Sequence, residues 1–277
     1  LKVRDKYKDY VDIQLVAFPQ SGLVKSPGTK ELIIEAINDM GVDIIGGIDP
    51  QTFDNDRKGN LDQLFEIFEK TNGAPLDPHI HESGPIGLET FQEIIRRAKT
   101  YGDGIKGKLN ISHGFALNSM SDDDLIITSK DFAALGFTAS GAGGQVPHRL
   151  RDAGIYYGGM SDNIQDMWSP WGNGDQLERA MFFAKDPGYR DDERLMLCYD
   201  LVTKYSAGIF ESVASLKAGG STGLAGHGRD NIVVGAEANL TAVQAEDAVY
   251  AVLQRPERLF TMRKGKFLMR DGELYIP

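Results

Sequence analysis

One cysteine, two tryptophans and five histidines are all that 277 residues supply of the side chains most often used to grip metals or stack on rings. The single cysteine, Cys198, excludes an internal disulfide and any cysteine-rich zinc site. It also excludes the paired-cysteine zinc motif on which one class of base deaminases depends. Cys198 stands between Leu195 and Leu201 at helical spacing, which predicts a core side chain rather than a nucleophile. Positive charge is also scarce: 30 Lys and Arg face 40 Asp and Glu, a formal net charge of -10. Such a surface repels a nucleic-acid backbone or an anionic membrane. No window approaches the roughly 18 consecutive apolar residues of a membrane span. Residues Leu1 to Tyr10 are rich in Lys, Arg and Asp rather than forming an apolar signal core. The expectation is a cytoplasmic protein with neither nucleic acid nor membrane as partner, in which any metal is held by His and carboxylate.

What is present is an ordinary globular balance, 41% hydrophobic and 25% charged, at a length that suits one α/β barrel. Short β-rich runs alternate with amphipathic helical segments, the pattern of βα units on a parallel sheet. The runs are Val11–Phe18, Val42–Ile48, Pro75–His79, Gly107–His113, Gly136–Ser140 and Ile155–Met160. The first four begin 31 to 33 residues apart, the length of a βα unit. Between them, helices are expected over Lys30–Met40, from Asn60 as cap to Gly73, over Gly87–Tyr101, and from Ser121 to Gly136, the last opening on Asp122, Asp123 and Asp124 where the macrodipole favours acids. A shorter one covers His148–Ala153, and Gly174–Lys185 and Glu193–Ser206 follow the sixth run. The predicted fold is a (β/α)8 TIM-type barrel of which about six units are present, over residues 1–228, followed at 229–277 by a small β-sandwich tail. The tail strands are expected at Asn231–Val234, Leu240–Val243, Val249–Leu253, Leu259–Met262 and Lys266–Met269.

Two features strain that picture. A closed barrel needs eight strands and six are counted. The link from Ser140 to Ile155 is short for a crossover, which takes about a dozen residues or more. The expectation drawn from them is that an N-terminal stretch is lacking, and with it a loop near Gly141–Val146.

Barrel enzymes carry their chemistry at the carboxyl ends of the strands. His79 ends the third run within Asp77-Pro78-His79-Ile80-His81-Glu82, His113 ends the fourth, and Asp162 follows the sixth within Met160-Ser161-Asp162-Asn163. Neutral imidazole and carboxylate suit a zinc-like ion that keeps one position open for water. Glu82, three residues beyond His79, is placed to move protons to and from such a water. Asp162 has a second reading, as the cap of the next helix. Trp168 and Trp171 lie in a loop that either covers a planar ligand or pins itself. His148 and His227 read as structural, and the glycine-rich stretches Gly141–Gly144 and Gly219–Gly228 match no phosphate cradle.

At these residues the chain resembles the amidohydrolase superfamily in its cytosine deaminase-like branch, which also contains enzymes acting on N-alkyl triazines. The resemblance is carried by Asp12–Gly22 (DIQLVAFPQSG), His79–Glu82 (HIHE), Ile111–Leu117 (ISHGFAL) and Ser161–Ala180 (SDNIQDMWSPWGNGDQLERA), and it runs on through Glu237–Leu240. It implies that Gln20 hydrogen-bonds a ring amide, that His79 ligates the metal and that Glu82 shuttles protons. It further implies that His113 polarises the attacking water or joins the ligands, that Asp162 serves metal and water as general base, and that Trp168 packs on the ring. The family's first motif, a His-x-His pair supplying two ligands, is absent, so the resemblance implies an incomplete metal site in this chain. His81 and Asn163 stand where better-known members carry Asp, and both neighbour the pocket.

The resulting expectation is a hydrolytic deaminase of a small planar N-heterocycle. In it, hydroxide activated on one divalent ion, zinc or iron, attacks the amino-bearing ring carbon. Two further readings stand beside it: hydrolysis of N-substituted triazines or cyclic amides, and a non-catalytic homologue that only binds ligand. The partner is a small heterocycle, with room for a homo-oligomer.

Overall fold

In the computed structural model, which describes residues 1–217, 232, 234–235 and 237–276, each short apolar run becomes one strand of a six-stranded parallel sheet. The strands are β1 (Val16–Ala17), β2 (Ile44–Ile48), β3 (Leu76–Ile80), β4 (Asn110–His113), β5 (Thr138–Gly141) and β6 (Tyr157–Gly159), and they lie in chain order. Helices cross between them: α2 (Thr29–Asn38), α3 (Arg57–Lys70), α4 (Gly84–Lys99), the short α5 (Ala116–Ser119), α6 (Asp122–Leu135) and α7 (Pro147–Ala153). A further helix, α1 (Lys2–Tyr7), precedes β1. This is the βα succession of a TIM-type barrel, as the spacing of the runs predicts.

The core lies between sheet and helices. Ile45, Leu61, Leu64, Ile67, Phe91, Ile94, Ile111 and Phe132 are almost wholly buried in one cluster. The helix α4 has its apolar residues on one side, with Phe91, Ile94, Ile95 and Ala98 buried, while Arg96, Arg97 and Lys99 fall in its last turn where the dipole favours cations. At α6 the predicted signals act as expected: Ser121 Oγ accepts from Asp124 N at 3.1 Å, and Gly136 closes the helix in the left-handed region at φ 65°.

Several boundaries differ from expectation for physical reasons. The first run pairs in register only at Val16 and Ala17; just before them Leu15 O accepts from Asp43 N and Ile44 N, and the Gln14 side chain donates from Nε2 to Phe210 O at 2.8 Å. Helix α3 starts at Arg57, not Asn60: Asp56 caps it through Gly59 N, while Asn60 is buried inside the helix with its amide on Asp54 at 2.8 Å. The gap expected near 141–146 gives way to a continuous short crossover. The loop 142–146, the seven-residue α7 and Gly154–Tyr156 carry the chain from β5 to β6.

Beyond β6 come α8 (Gln176–Lys185), α9 (Asp192–Asp200), a wide turn at Leu201–Tyr205 and α10 (Ser206–Lys217). The tail holds α11 (Ala248–Gln254) and an antiparallel sheet of β7 (Leu240–Val243), β8 (Arg258–Arg263), β9 (Lys266–Arg270) and β10 (Glu273–Leu274), ordered β10-β9-β8-β7. It is a single four-stranded sheet among the described residues, not a sandwich. The strand expected at Val249–Leu253 is the helix α11, because Asp247 caps it through Tyr250 N and Ala251 and Val252 are buried where it packs on α8 and α9. The expected strand Asn231–Val234, the loop Gly219–Gly228, His227 and the proposed domain junction at 228/229 lie wholly or partly outside the described residues.

Candidate metal centre

Alternation along β3 puts Asp77 and His79 on one face, and the register carries that face across the sheet: His79 is paired with Ser112, and Ser112 with Ser140. Beneath His79 this face is polar. Asn110 Nδ2 donates to Asp77 Oδ1 at 2.9 Å and to Ser140 Oγ at 2.9 Å, Ser112 Oγ donates to Asp77 Oδ1 at 2.7 Å, and Thr138 Oγ1 donates to Asn110 Oδ1 at 3.0 Å. Burial pushes the Asp77 carboxyl up to about 6 against the pull of the Ser112 and Asn110 bonds.

By the same alternation His113, one residue past Ser112, belongs on the opposite face. Its backbone is left-handed instead, with φ 67°, a conformation that costs a residue with a Cβ about 1–2 kcal/mol. The imidazole is thereby brought back, and His113 Nε2 lies 3.2 Å from His79 Nδ1. Buried Gln145 holds this turn by donating from Nε2 to His113 O at 2.7 Å. Gly141 packs against this turn and leaves room for Tyr157, whose Oη a Cβ at 141 would meet at 2.5 Å. Asp162 is the second site candidate with a left-handed backbone, φ 60°. Such outliers concentrate at functional sites.

His81 completes a cluster: one ring nitrogen from each of His79, His81 and His113 lies within 4.8 Å of the others. Asp49, just past β2, organises it. Its Oδ1 accepts from His81 N at 2.6 Å and Glu82 N at 3.2 Å, and its Oδ2 meets His81 Nδ1 at 2.8 Å. The Asp49 contact raises the His81 pKa above the ordinary histidine value. Burial, then the His81 charge, lowers that of His79. For His113, burial followed by the His81 and His79 charges brings it down to about 4. Two of the three rings are therefore neutral at pH 7, sharing one proton across the His79–His113 contact, and neutral imidazole is the form a zinc- or iron-class ion takes as ligand. The donor set fits such an ion.

Glu82 occupies a different environment. It is 3% exposed; Oε1 accepts from Gln51 N at 2.6 Å and Thr52 N at 2.8 Å, and Oε2 accepts from the Thr90 hydroxyl. Asp162 is exposed and acts on all three imidazoles through its charge. It caps no helix, since α8 is capped by Asp175. Asp162 and Asn163 line a cavity of about 510 Å³ with Trp171, Arg179 and Phe182. The Asn163 amide itself donates to Asp166 at 2.7 Å. Trp168 is 63% exposed in the same loop, and Gln20 is an exposed turn residue. His148 is structural, paired with Tyr189 Oη at 2.6 Å.

Three residues that matter here escape a reading of the sequence. Asp49 ends an apolar run just as His79 does, so the signal was present. Gln145 sits in a glycine-rich loop with nothing to mark it. Arg179 joins two loops, donating to Ala142 O at 2.6 Å and Ser161 O at 3.1 Å.

No family model matches the chain. It is 29% identical over 276 residues to the N-isopropylammelide isopropyl amidohydrolase of Pseudomonas sp. (strain ADP), an alignment covering 98% of this chain and 64% of that protein. Among solved structures, the N-isopropylammelide isopropylaminohydrolase of Burkholderia multivorans superposes with a TM-score of 0.86 at 31% identity, over 99% of this chain and 66% of that one. The 5-methylcytosine deaminase of Klebsiella pneumoniae gives 0.75 at 25%, over 100% and 67%. The chain thus spans about two thirds of the length of these relatives, and it belongs to the amidohydrolase superfamily.

Proposed function

We propose that this protein hydrolyses an exocyclic carbon–nitrogen bond of a small planar N-heterocycle, as a metal-dependent deaminase. The observation that carries the reading is the cluster of three imidazoles at the carboxyl ends of β3 and β4, two of them held neutral, with the Asp162 carboxylate at its mouth. Its support from relatives is that their names describe an amidohydrolase and a cytosine-type deaminase.

In this reading His79 and His113 hold the ion together with Asp162. The ion, zinc or iron, supplies Lewis acidity and lowers the pKa of water. Asp162 takes the proton of the attacking water. Oxygen adds to the ring carbon, the bond to the exocyclic nitrogen breaks, and that nitrogen leaves after gaining a proton. Glu82 is the carrier proposed for that proton; to act, it exchanges its Thr90 and Thr52 hydroxyl bonds for the substrate, a tightening that substrate binding commonly brings. Gln20, His81, Asn163 and Trp168 are the residues proposed to face the ring.

A second reading, an N-alkylated amino group as the bond cleaved, is favoured by the cavity beside Asp162. Its 510 Å³ and its Trp171 and Phe182 walls give an alkyl substituent somewhere to go. Zinc- or iron-loaded protein incubated with cytosine and with N-isopropylammelide decides between them: ammonia from the first supports deamination, isopropylamine from the second supports N-dealkylation. Neither product, from protein shown to carry metal, refutes both and leaves a ligand-binding homologue.

A further inference from the structure

We propose that Asp54 is a positioning residue for the heterocycle: buried beneath the turn after β1, it fixes the main chain that presents Gln20 at the carboxyl end of the sheet. The inference rests on the reading that Gln20 faces the ring.

The turn has an exposed tip on buried shoulders. Gln20 and Ser21 are exposed, while Pro19 before them and Gly22 and Leu23 after them are buried. Gly22 N closes the tip on Pro19 O at 2.8 Å, and Gln20 N reaches Phe18 O at 3.0 Å. Phe18 in turn packs edge-on against the His79 ring, 4.8 Å between centroids, which sets the turn beside the histidine cluster. A polar side chain projected from such a tip selects one ring orientation only if its base is rigid.

Asp54 supplies that base. It is 4% exposed and comes from the loop between β2 and α3. Its Oδ2 accepts from Leu23 N at 2.9 Å, Val24 N at 3.0 Å and Asn60 Nδ2 at 2.8 Å, and its Oδ1 accepts from Lys25 N at 3.2 Å. Consecutive main-chain N–H groups of residues 23, 24 and 25 thus converge on one carboxylate, an anion nest filled by the protein's own side chain. Burial by itself pushes the Asp54 carboxyl up, but the bonds from Val24, Asn60, Lys25 and Leu23 outweigh it and hold the group below the usual carboxylate value. The carboxylate is therefore ionised at neutral pH, and its bonds to the turn are charge-assisted. Gly22 shows how closely the chain wraps around it: φ is 85°, and a Cβ there would collide with the Asp54 carboxylate.

The same loop reaches the other side of the site. Gln51 N and Thr52 N hold Glu82 Oε1, Asp49 holds His81, and Phe53 N closes the loop on Asp49 O at 3.0 Å. Residues 49–56 therefore set the turn that carries Gln20 and the proposed proton carrier in one frame.

The test is electron paramagnetic resonance of a nitroxide at Gln20→Cys, with one at Lys58→Cys on the exposed side of α3 as reference; Cys198 is buried and stays unlabelled. In the parent background the label at 20 should give the broad spectrum of an ordered turn. Asp54→Asn removes the charge, and Gly22→Ala forces the turn off the carboxylate while leaving that carboxylate in place. Each should shorten the correlation time at 20 at least about twofold and leave that at 58 unchanged. Each should also speed exchange of the Leu23, Val24 and Lys25 amides at least about tenfold. Circular dichroism checks the fold of each variant. An unchanged spectrum at 20 in folded Asp54→Asn and Gly22→Ala overturns the proposal, since a carboxylate that served stability alone would lower the urea midpoint without loosening the folded turn. With any heterocycle that is turned over, Asp54→Asn should raise KM at least about tenfold and change kcat less than about threefold. A loosened turn with KM unchanged overturns the proposal too, unless Gln20→Ala also leaves KM unchanged, in which case the placing of Gln20 on the ring is what fails. Absence of all turnover removes the proposed activity and leaves the spectra to decide whether Asp54 holds the turn.

Discussion

Glu82 shows how one residue can be recognisable by position and still behave differently in place. Its spacing from His79 marks a proton carrier, and its carboxylate is also the acceptor for two backbone N–H groups of the turn after β2. Glu82→Ala therefore tests more than catalysis. It leaves Gln51 N and Thr52 N without their partner; both bonds are only part-buried, so the loss is about 0.5–1.5 kcal/mol per bond, visible as a lower urea midpoint. Glu82→Gln keeps an acceptor oxygen and should hold most of that stability while losing turnover; equal destabilisation by both changes would contradict the assignment of the carboxylate to that turn. Asp77 offers a pH test. Its folded pKa, about 6, lies above the unfolded 3.8, so the proton stabilises the fold. That contribution is complete below pH 3.8 and is lost as pH rises through 6. Asp77→Asn should accordingly gain stability relative to the parent above pH 6 and lose that gain near pH 4, as measured by thermal unfolding across the range.

At the scale of elements, the site depends on loops that their own sequences do not anchor. The loop after β5 and the loop after β6 are joined by Arg179 of α8, whose guanidinium reaches Ala142 O and Ser161 O. Arg179→Met keeps the aliphatic stem near Phe182 and removes both bonds. It should speed proteolytic cleavage within 161–175 and lower turnover at least tenfold, with the unfolding midpoint little changed. A cleavage rate equal to the parent's would show that the loops hold without it. The βα units themselves were legible in the sequence, because apolar runs about 32 residues apart leave a parallel sheet as the simple solution. Val249–Leu253 departs from its expected strand for an equally physical reason: five apolar or aromatic residues in a row satisfy a strand as well as a short buried helix. Only packing on α8 and α9 separates the two.

Across the whole molecule, residues far apart in the chain are tied together. Arg263 of β8 forms a forked pair with Asp12, 2.7 Å on each arm, and Arg258 pairs with Asp175 at the cap of α8. We propose two units, 1–228 and 229–277, that unfold together, because α11 buries Ala251 and Val252 in the seam with α8 and α9. Val252→Asp places an unpaired charge there and should cost about 3–5 kcal/mol; two resolved calorimetric transitions in the parent would show that the units are independent. No helix among the described residues is long and apolar enough to cross a membrane.

The sequence by itself determined the βα order, the helix stop at Gly136, and the strand ends where His79 and His113 had to be sought. Each of these follows from local composition and periodicity. Tertiary structure alone decided that His113 turns back through a left-handed backbone to meet His79, that Asp49 from a neighbouring strand fixes His81, and that Glu82 is anchored on Thr90 and the 51–52 turn. These contacts join residues about 8 to 34 positions apart, and a one-dimensional pattern carries neither the register nor the backbone angle that brings them together.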